Sequence, residues 1–477
     1  MSSGLKTGFI PASRPMFEQE LAVKVRDECI EAMKRAGLEP VVPGDDLTKG
    51  GLVATMDDAR RAARLFDAEG VSGIIVGAMN FGNEIPAAVA ATLGGAKPIM
   101  LFGMGEEGPL TREGARRDAF CGLISIATAL RHREAKFVFP RRAITDPADE
   151  SLGAAFAEFK RACAGVAAVR GATYGQFGPR PQDFETCAFD ELSLLRKLGI
   201  SVVPVPLTTL FARAGYASER KIREAYADME KCVGRDLVSD LDLSKMARLE
   251  VVLEEMIDDL GLDGIALQCW TSIQEDFGVS PCFVMSRLTE GGTPAACEVD
   301  IHGTLSMHLL AAVAGAPAGL ADWNNRHVSV DDVFSAWHCG VFPPSLAGGA
   351  CVLGYHNILA ASTGTPEGKY GTVELEIQSG PVTMARVTEH PWDEWPVLVA
   401  EGEAVAAPGE PYGSHGWVRV ENLDRLYAEI LRGFPHHTAI AAGAHGSALL
   451  AAAYFLGLEP VAPLEIASGQ LETGPDY

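Results

Sequence analysis

The chain has 477 residues, 47% of them hydrophobic, with 63 Asp and Glu against 40 Lys and Arg and a formal net charge of −23. That length exceeds what one core supports and calls for two or three domains, while the acidic balance repels phosphate backbones, so no nucleic-acid partner is expected. Ten cysteines without a CxxC pair point to reduced thiols in a cytoplasmic protein; no h-region opens at Met1–Lys6 and no run approaches ~18 apolar residues, so no membrane association is expected.

Residues 1–150 alternate strand and helix. Short apolar runs at Lys6 to Ile10, Pro40 to Pro43, Gly73 to Ala78, Pro98 to Phe102 and Lys136 to Pro140 are separated by helical patterns at 16–36, 55–69, 84–94 and 115–133, which predicts a parallel, doubly wound, Rossmann-like sheet. Gly37 closes the first helix as a left-handed cap, and Asp57 and Asp58 place negative charge where the next helix dipole favours it. Residues 151–290 read as a second α/β domain. Helices are expected at 152–166, 188–198, 217–231 and 243–260 and strands at 167–170, 201–206 and 264–270, with 174–181 a loop by its Gly and Pro content. Neither domain carries GxGxxG after its first strand, so a dinucleotide site has no support. Residues 291–477 form the third expected domain. Its strands at 372–378, 382–388, 396–403 and 416–420 suggest a β-rich, barrel-like fold, closed by helices at 422–432 and 446–456.

Chemistry concentrates after residue 300, where ten of the eleven histidines lie. Glu298 and Asp300 stand one residue apart after the apolar run 294–297, and in an extended strand both face one side. An upstream acid, Glu275 or Asp276, leaves the strand at 264–270 on the same edge if the strands are parallel. Of His436 and His437, extended backbone lets only one face the site, and we favour His437. His338, His302 and Glu298 are further candidate ligands or groups that orient ligands, and Trp270, Asn324 and Trp337 are candidate walls of the site. Mixed oxygen and imidazole donors suit Mn²⁺, Co²⁺, Mg²⁺ or Fe²⁺; Cys297 and Cys339 beside them make zinc the second choice.

These residues resemble the L-fucose/L-arabinose isomerase superfamily, in its fucose isomerase-like branch. The resemblance rests on Glu298-x-Asp300 with Gly303, the acid upstream, Pro435-His436-His437-Thr438, Trp337-His338-Cys339-Gly340, Arg117-Asp118-Ala119-Phe120-Cys121-Gly122 and the Gly178-x-Arg180-Pro181 loop. It implies Mn²⁺, Glu275 and Asp300 as metal-binding acid/base carboxylates, His437 as the ligand histidine, and a homotrimer or homohexamer in which Arg117 serves a site. The expected activity is metal-dependent aldose–ketose isomerisation of an open-chain sugar through a cis-enediol(ate). Other metal-enediolate chemistry, in a lyase or aldolase, is the alternative, and non-catalytic sugar binding stands behind both. Which sugar, whether a deoxyhexose, a pentose or an aldose with an anionic group at C6, is not legible.

Overall fold

The computed structural model describes residues 5–109, 111–112, 116–235, 237–408, 412–467 and 469–474. Residues 1–4, in the N-terminal segment read above, and 115, where the fourth helical pattern was taken to begin, lie outside them. The fold is mixed α/β, and contacts divide it into two compact units.

The first unit comprises 1–167, 447–456 and 468–477. Its sheet runs in the order Glu39–Val41, Lys6–Ala12, Gly73–Ala78, Ile99–Met104, Val138–Pro140, Leu471–Thr473, with Ile144–Thr145 also on Ile99–Met104. The pairings are parallel except for the last strand, Leu471–Thr473 on Val138–Pro140. Every residue of Gly73–Ala78 and Ile99–Met104 is buried, because helices cover both faces of a parallel sheet and its central strands read as unbroken apolar runs. The helix Met56–Glu69 starts at a capping box, in which Thr55 Oγ1 accepts from Asp58 N and the Asp58 carboxylate accepts from Thr55 N. The helix Ala119–Arg131 approaches its neighbour so closely at Gly122 that a Cβ would overlap the Phe81 carbonyl.

The second unit, 168–446 and 457–467, holds two sheets. The helix Glu150–Val169 stays helical where the sequence suggests a strand at 167–170, since Ala167, Ala168 and Val169 continue a helix as readily as a strand. Gly171, at φ 76°, then reverses the chain, and the strand is Thr173–Phe177, inside the stretch read as a loop. Tertiary pairing overrides the glycine content there: parallel strands on both sides take up its backbone groups, and Tyr174 and Phe177 are buried. This sheet is ordered Ala295–Ala296, Gly264–Leu267, Thr173–Phe177, Ser201–Val205, all parallel.

The larger sheet has nine strands in the order Val352–Tyr355, Tyr370–Glu376, Ser414–Arg419, Val333–His338, Gly319–Arg326, His437–Ala442, Gly380–Val387, Pro396–Val405, Glu459–Val461, and Pro396–Val405 also pairs with Ser414–Arg419. Two of its central strands, Gly319–Arg326 and Val333–His338, lie before the point at which the sequence turns visibly strand-rich, because their Asn, Arg and His residues interrupt the apolar alternation. The helix Ile301–Ala314 is buried along most of its length and packs against Gly264–Leu267 of one sheet and His437–Ala442 and Gly380–Val387 of the other. Its N-terminus is where the candidate site lies. Among the described residues no helix is long and apolar enough to cross a membrane.

Candidate active site

The strand before the acids is only Ala295–Ala296; residues 297–299 form a turn, so Glu298 and Asp300 are not two positions on one strand face. They converge by another route. Glu298 and Val299 both take positive φ, 55° and 58°, a conformation that costs on the order of 1–3 kcal/mol per residue and persists only where the surroundings dictate it. Asp300 then caps the helix Ile301–Ala314, its Oδ1 accepting from Gly303 N at 2.8 Å. Gly303 belongs to this arrangement, since a Cβ there would sit 2.6 Å from Asp300 Oδ2.

Both oxygens of Asp300 are committed. Arg386, fully buried in the strand Gly380–Val387, grips it with Nη1 at 2.5 Å from Oδ2 and Nη2 at 3.0 Å from Oδ1, and His437 Nδ1 lies 2.7 Å from Oδ2. Burial alone would raise the Asp300 carboxyl, but Arg386 and His437 outweigh it and hold the group well below the usual carboxylate range. Asp300 therefore positions His437 and leaves its Nε2 facing outward, the arrangement by which a carboxylate orients a ligand imidazole.

That nitrogen meets Glu298. Trp270 Nε1 donates to Glu298 Oε1 at 3.1 Å, which turns Oε2 to within 3.2 Å of His437 Nε2 and 3.8 Å of His338 Nε2. Glu298 Oε2 and His338 Nε2 are both buried without a hydrogen-bond partner. Asp322 completes the group from the neighbouring strand, paired in register with His437 on one side and Trp337 on the other, and its Oδ1 is 3.7 Å from His437 Nε2. A lone pair on Nε2 facing a carboxylate oxygen at 3.2 Å is repulsive unless a positive charge stands between them. In the bare chain a proton fills that role: burial alone would lower His437, but Asp300, Cys187 and Glu298 raise it well above its ordinary value. Burial likewise works against His338, yet Cys339, Asp322 and Glu298 push it up to about 9. Asp322 is raised, chiefly by burial. Glu298, His338 and His437 thus present oxygen and imidazole donors within 4.8 Å of one another, a set that fits a divalent cation, and Asp322 makes a second such group with His436 and His437.

The other expected residues fall elsewhere. Glu275 is exposed on the turn Ile273–Phe277, outside the converging donor groups among the described residues. Gln274 takes the inward position of that turn, its Nε2 donating to Cys269 O and Ser280 Oγ, and Glu275 and Asp276 are left in solvent. Arg386, Gly303 N and His437 occupy the oxygens of Asp300, the residue expected from the resemblance to ligate metal and move protons. His302 is buried edge-on to Trp395, and burial together with Arg386 lowers it to about 4. His436 is half exposed against the Phe184 ring, whereas His437 is buried. Trp270 holds Glu298, while Asn324 and Trp337 line an outer cleft of about 510 Å³ with Arg326, Tyr412 and Trp417. Arg117, in the first unit, is tied to Gly105 O and Glu107. Sequence reasoning missed Asp322 and Arg386. A lone arginine in the apolar strand 382–388 was the available signal, because a buried guanidinium requires a carboxylate partner.

Comparison with known families bears on this geometry. The fucose/sulfoquinovose isomerase N-terminal domain matches residues 8–170, and the L-fucose isomerase C-terminal domain matches residues 337–462. The chain belongs to the fucose isomerase-like superfamily. Relatives within it include a sulfoquinovose isomerase of Priestia aryabhattai, 26% identical over 372 residues that cover 76% of this chain and 79% of that protein. Another is a sulfoquinovose isomerase of Alkalicoccus urumqiensis, 31% identical over 264 residues, 54% of this chain and 56% of that one. The matched C-terminal segment carries His338, Arg386 and His437 of the site.

Proposed function

We propose that this sugar isomerase homologue interconverts an aldose and its ketose through a cis-enediol(ate), with Glu298, His437 and Asp322 around a hard divalent cation, Mn²⁺ before Co²⁺ or Mg²⁺. The single observation that carries this reading is the facing pair Glu298 Oε2 and His437 Nε2, 3.2 Å apart, with Oε2 otherwise unsatisfied. Such a cation, when bound, polarises neighbouring sugar oxygens and stabilises negative charge on them by several kcal/mol.

The chain's own residues do the rest. Asp300, locked by Arg386, fixes the His437 ring; Trp270 fixes Glu298. Asp322 is raised by burial and reaches the site edge, which suits a group that takes the C2 proton and returns it to C1. The hydroxyl proton on O2 moves to O1 in the same conversion, so the sugar gains and loses no atoms. His338 Nε2, unpaired and aimed at the same point, donates to a sugar oxygen.

The names of the relatives favour an aldose with an anionic group at C6, and sulfoquinovose is the first substrate to test. The six strands linked in a ring through the pairing of Pro396–Val405 with Ser414–Arg419 support a barrel-like third domain over 291–477 beside α/β domains at 1–150 and 151–290. Ten free cysteines accord with a cytoplasmic setting, and the resemblance supports a trimer or hexamer. The test is NMR of sulfoquinovose with the Mn²⁺-loaded protein in D₂O. Ketose formation with solvent deuterium on the carbon that receives the proton, from exchange on the carboxyl that carries it, is expected; complete retention of the original hydrogen there would argue against an exchanging carboxylate base, and absence of ketose from a panel of aldoses would overturn the isomerase reading.

A further inference from the structure

One face of the nine-stranded sheet continues from the candidate site into the outer cleft. Residues directly opposite in antiparallel strands share a face, and so do residues two apart in one strand. His437 pairs with Asp322, Asp322 with Trp337 and Trp337 with His415, so these four form one row. Ser335, two residues before Trp337, lies opposite Trp417 in the next row. Ordinary strand spacings put Ser335 about 8 Å and Trp417 about 12 Å from Asp322 across that face. Trp337, Ser335 and Trp417 line the cleft of about 510 Å³, together with Asn324 and the exposed Ile358 and Tyr412. The isomerase chemistry leaves this space unassigned.

The lining says what chemistry would fill it. Both indoles are held in place: Trp337 donates from Nε1 to Tyr412 O with its ring inclined 79° to the Tyr412 ring, and Trp417 stands 4.6 Å from the His327 ring. The two lining side chains able to carry positive charge are engaged. Arg326 pairs with Asp424, while His327 Nε2 meets Pro408 O and its Nδ1 accepts from Ser329 N and Val330 N. An anionic group therefore finds no free cation there among the described residues. Fixed aromatic surface with an amide and a hydroxyl beside it suits a ligand that carries C–H bonds on its faces and hydroxyls around its edge, as a closed pyranose ring does. A protein segment is the other class of occupant for such a cleft, but continuity with the row of Asp322 and His437 favours a sugar.

We propose that the outer cleft is a second carbohydrate subsite, for the uncharged ring of a closed pyranoside, separate from the point at which Glu298 and His437 face each other. The ring lies against an indole, and its hydroxyls meet Asn324 and Ser335. Such a subsite holds ring-closed sugar one row of side chains away from the reacting groups. It needs no metal and stands independently of the proposed isomerase chemistry.

The experiment is saturation-transfer NMR of methyl β-D-glucopyranoside, a sugar that cannot open, with the metal-free full-length chain. Expected is transfer strongest to the protons of one ring face, with binding at least tenfold weaker in Trp417→Ala and in Ser335→Leu. The second variant fills the cleft and removes no packing, so it guards against a loss caused by misfolding. Glu298→Gln should bind the glycoside as the wild-type chain does. Absence of transfer to the wild-type chain would overturn the proposal, and so would undiminished transfer to both cleft variants. Transfer lost in Glu298→Gln would put the ring at the reacting groups and overturn it as well.

Discussion

The parallel four-stranded sheet delivers its two carboxylates from a single turn, Glu298 and Asp300, whereas the nine-stranded sheet delivers Asp322, His338, Arg386 and His437 from four strands. The first contribution is local and the second is a matter of register: Asp322 reaches His437 because the strands Gly319–Arg326 and His437–Ala442 pair there. The two halves also differ in what they do. The turn supplies one free oxygen, on Glu298, and one carboxylate spent entirely on holding a partner. The nine-stranded sheet supplies that partner, the guanidinium that secures the pair, and Asp322, the acid proposed to move protons.

This division is open to attack at several points. The largest effect is expected at the free oxygen. Glu298→Gln should lower kcat/KM ~10²- to 10⁴-fold, the range of a positioned charged group, while Glu275→Gln stays within about threefold of wild type. Steady-state kinetics on both variants separates the acid buried among the converging donors from the exposed acid upstream. Next comes the clamp. Arg386→Met strands the buried Asp300 charge and should cost about 3–5 kcal/mol in denaturant unfolding, whereas truncation of an exposed arginine such as Arg432 should have little effect.

A pH effect of similar origin should follow from His302. Its folded pKa, lowered to about 4 from 6.5, means that the unfolded chain binds the proton first as pH falls. The stabilisation is complete above pH 6.5 and is lost between 6.5 and about 4, to an extent of about 3 kcal/mol. His302→Gln should flatten that part of the stability profile; an unchanged acid limb would place the titrating group elsewhere. Smallest is Trp270→Phe, which removes one donor to Glu298 Oε1. Turnover should fall roughly tenfold, in line with ~1.5 kcal/mol for a hydrogen bond to a charged group, with the fold intact by circular dichroism.

The sequence made the parallel sheets legible because their central strands are buried on both faces and appear as unbroken apolar runs. It made Glu298, Asp300 and His437 stand out because charge and imidazole directly beside apolar strand ends are conspicuous. It hid roles better than positions. Nothing in the one-residue spacing of the acids shows that an arginine more than eighty residues later occupies both oxygens of Asp300, or that two positive-φ residues aim Glu298 at the site. Asp322 was masked by the polar run Asp322-Trp323-Asn324-Asn325-Arg326, which lacks the alternation of a half-buried strand yet forms part of one. Glu275 lies outside the cluster because its segment leaves a strand of the parallel sheet as expected, but the short turn that follows carries Gln274 inward instead.

The central claim is that Glu298 and His437, not Glu275, hold a hard cation at the junction of the two sheets. The most direct measurement is Mn²⁺ binding by electron paramagnetic resonance to the wild-type chain, Glu298→Gln, His437→Ala and Glu275→Gln. The account predicts one tightly bound ion per chain in wild type and Glu275→Gln and at least a hundredfold weaker binding in the other two. Full binding by Glu298→Gln, with binding lost in Glu275→Gln, would contradict it.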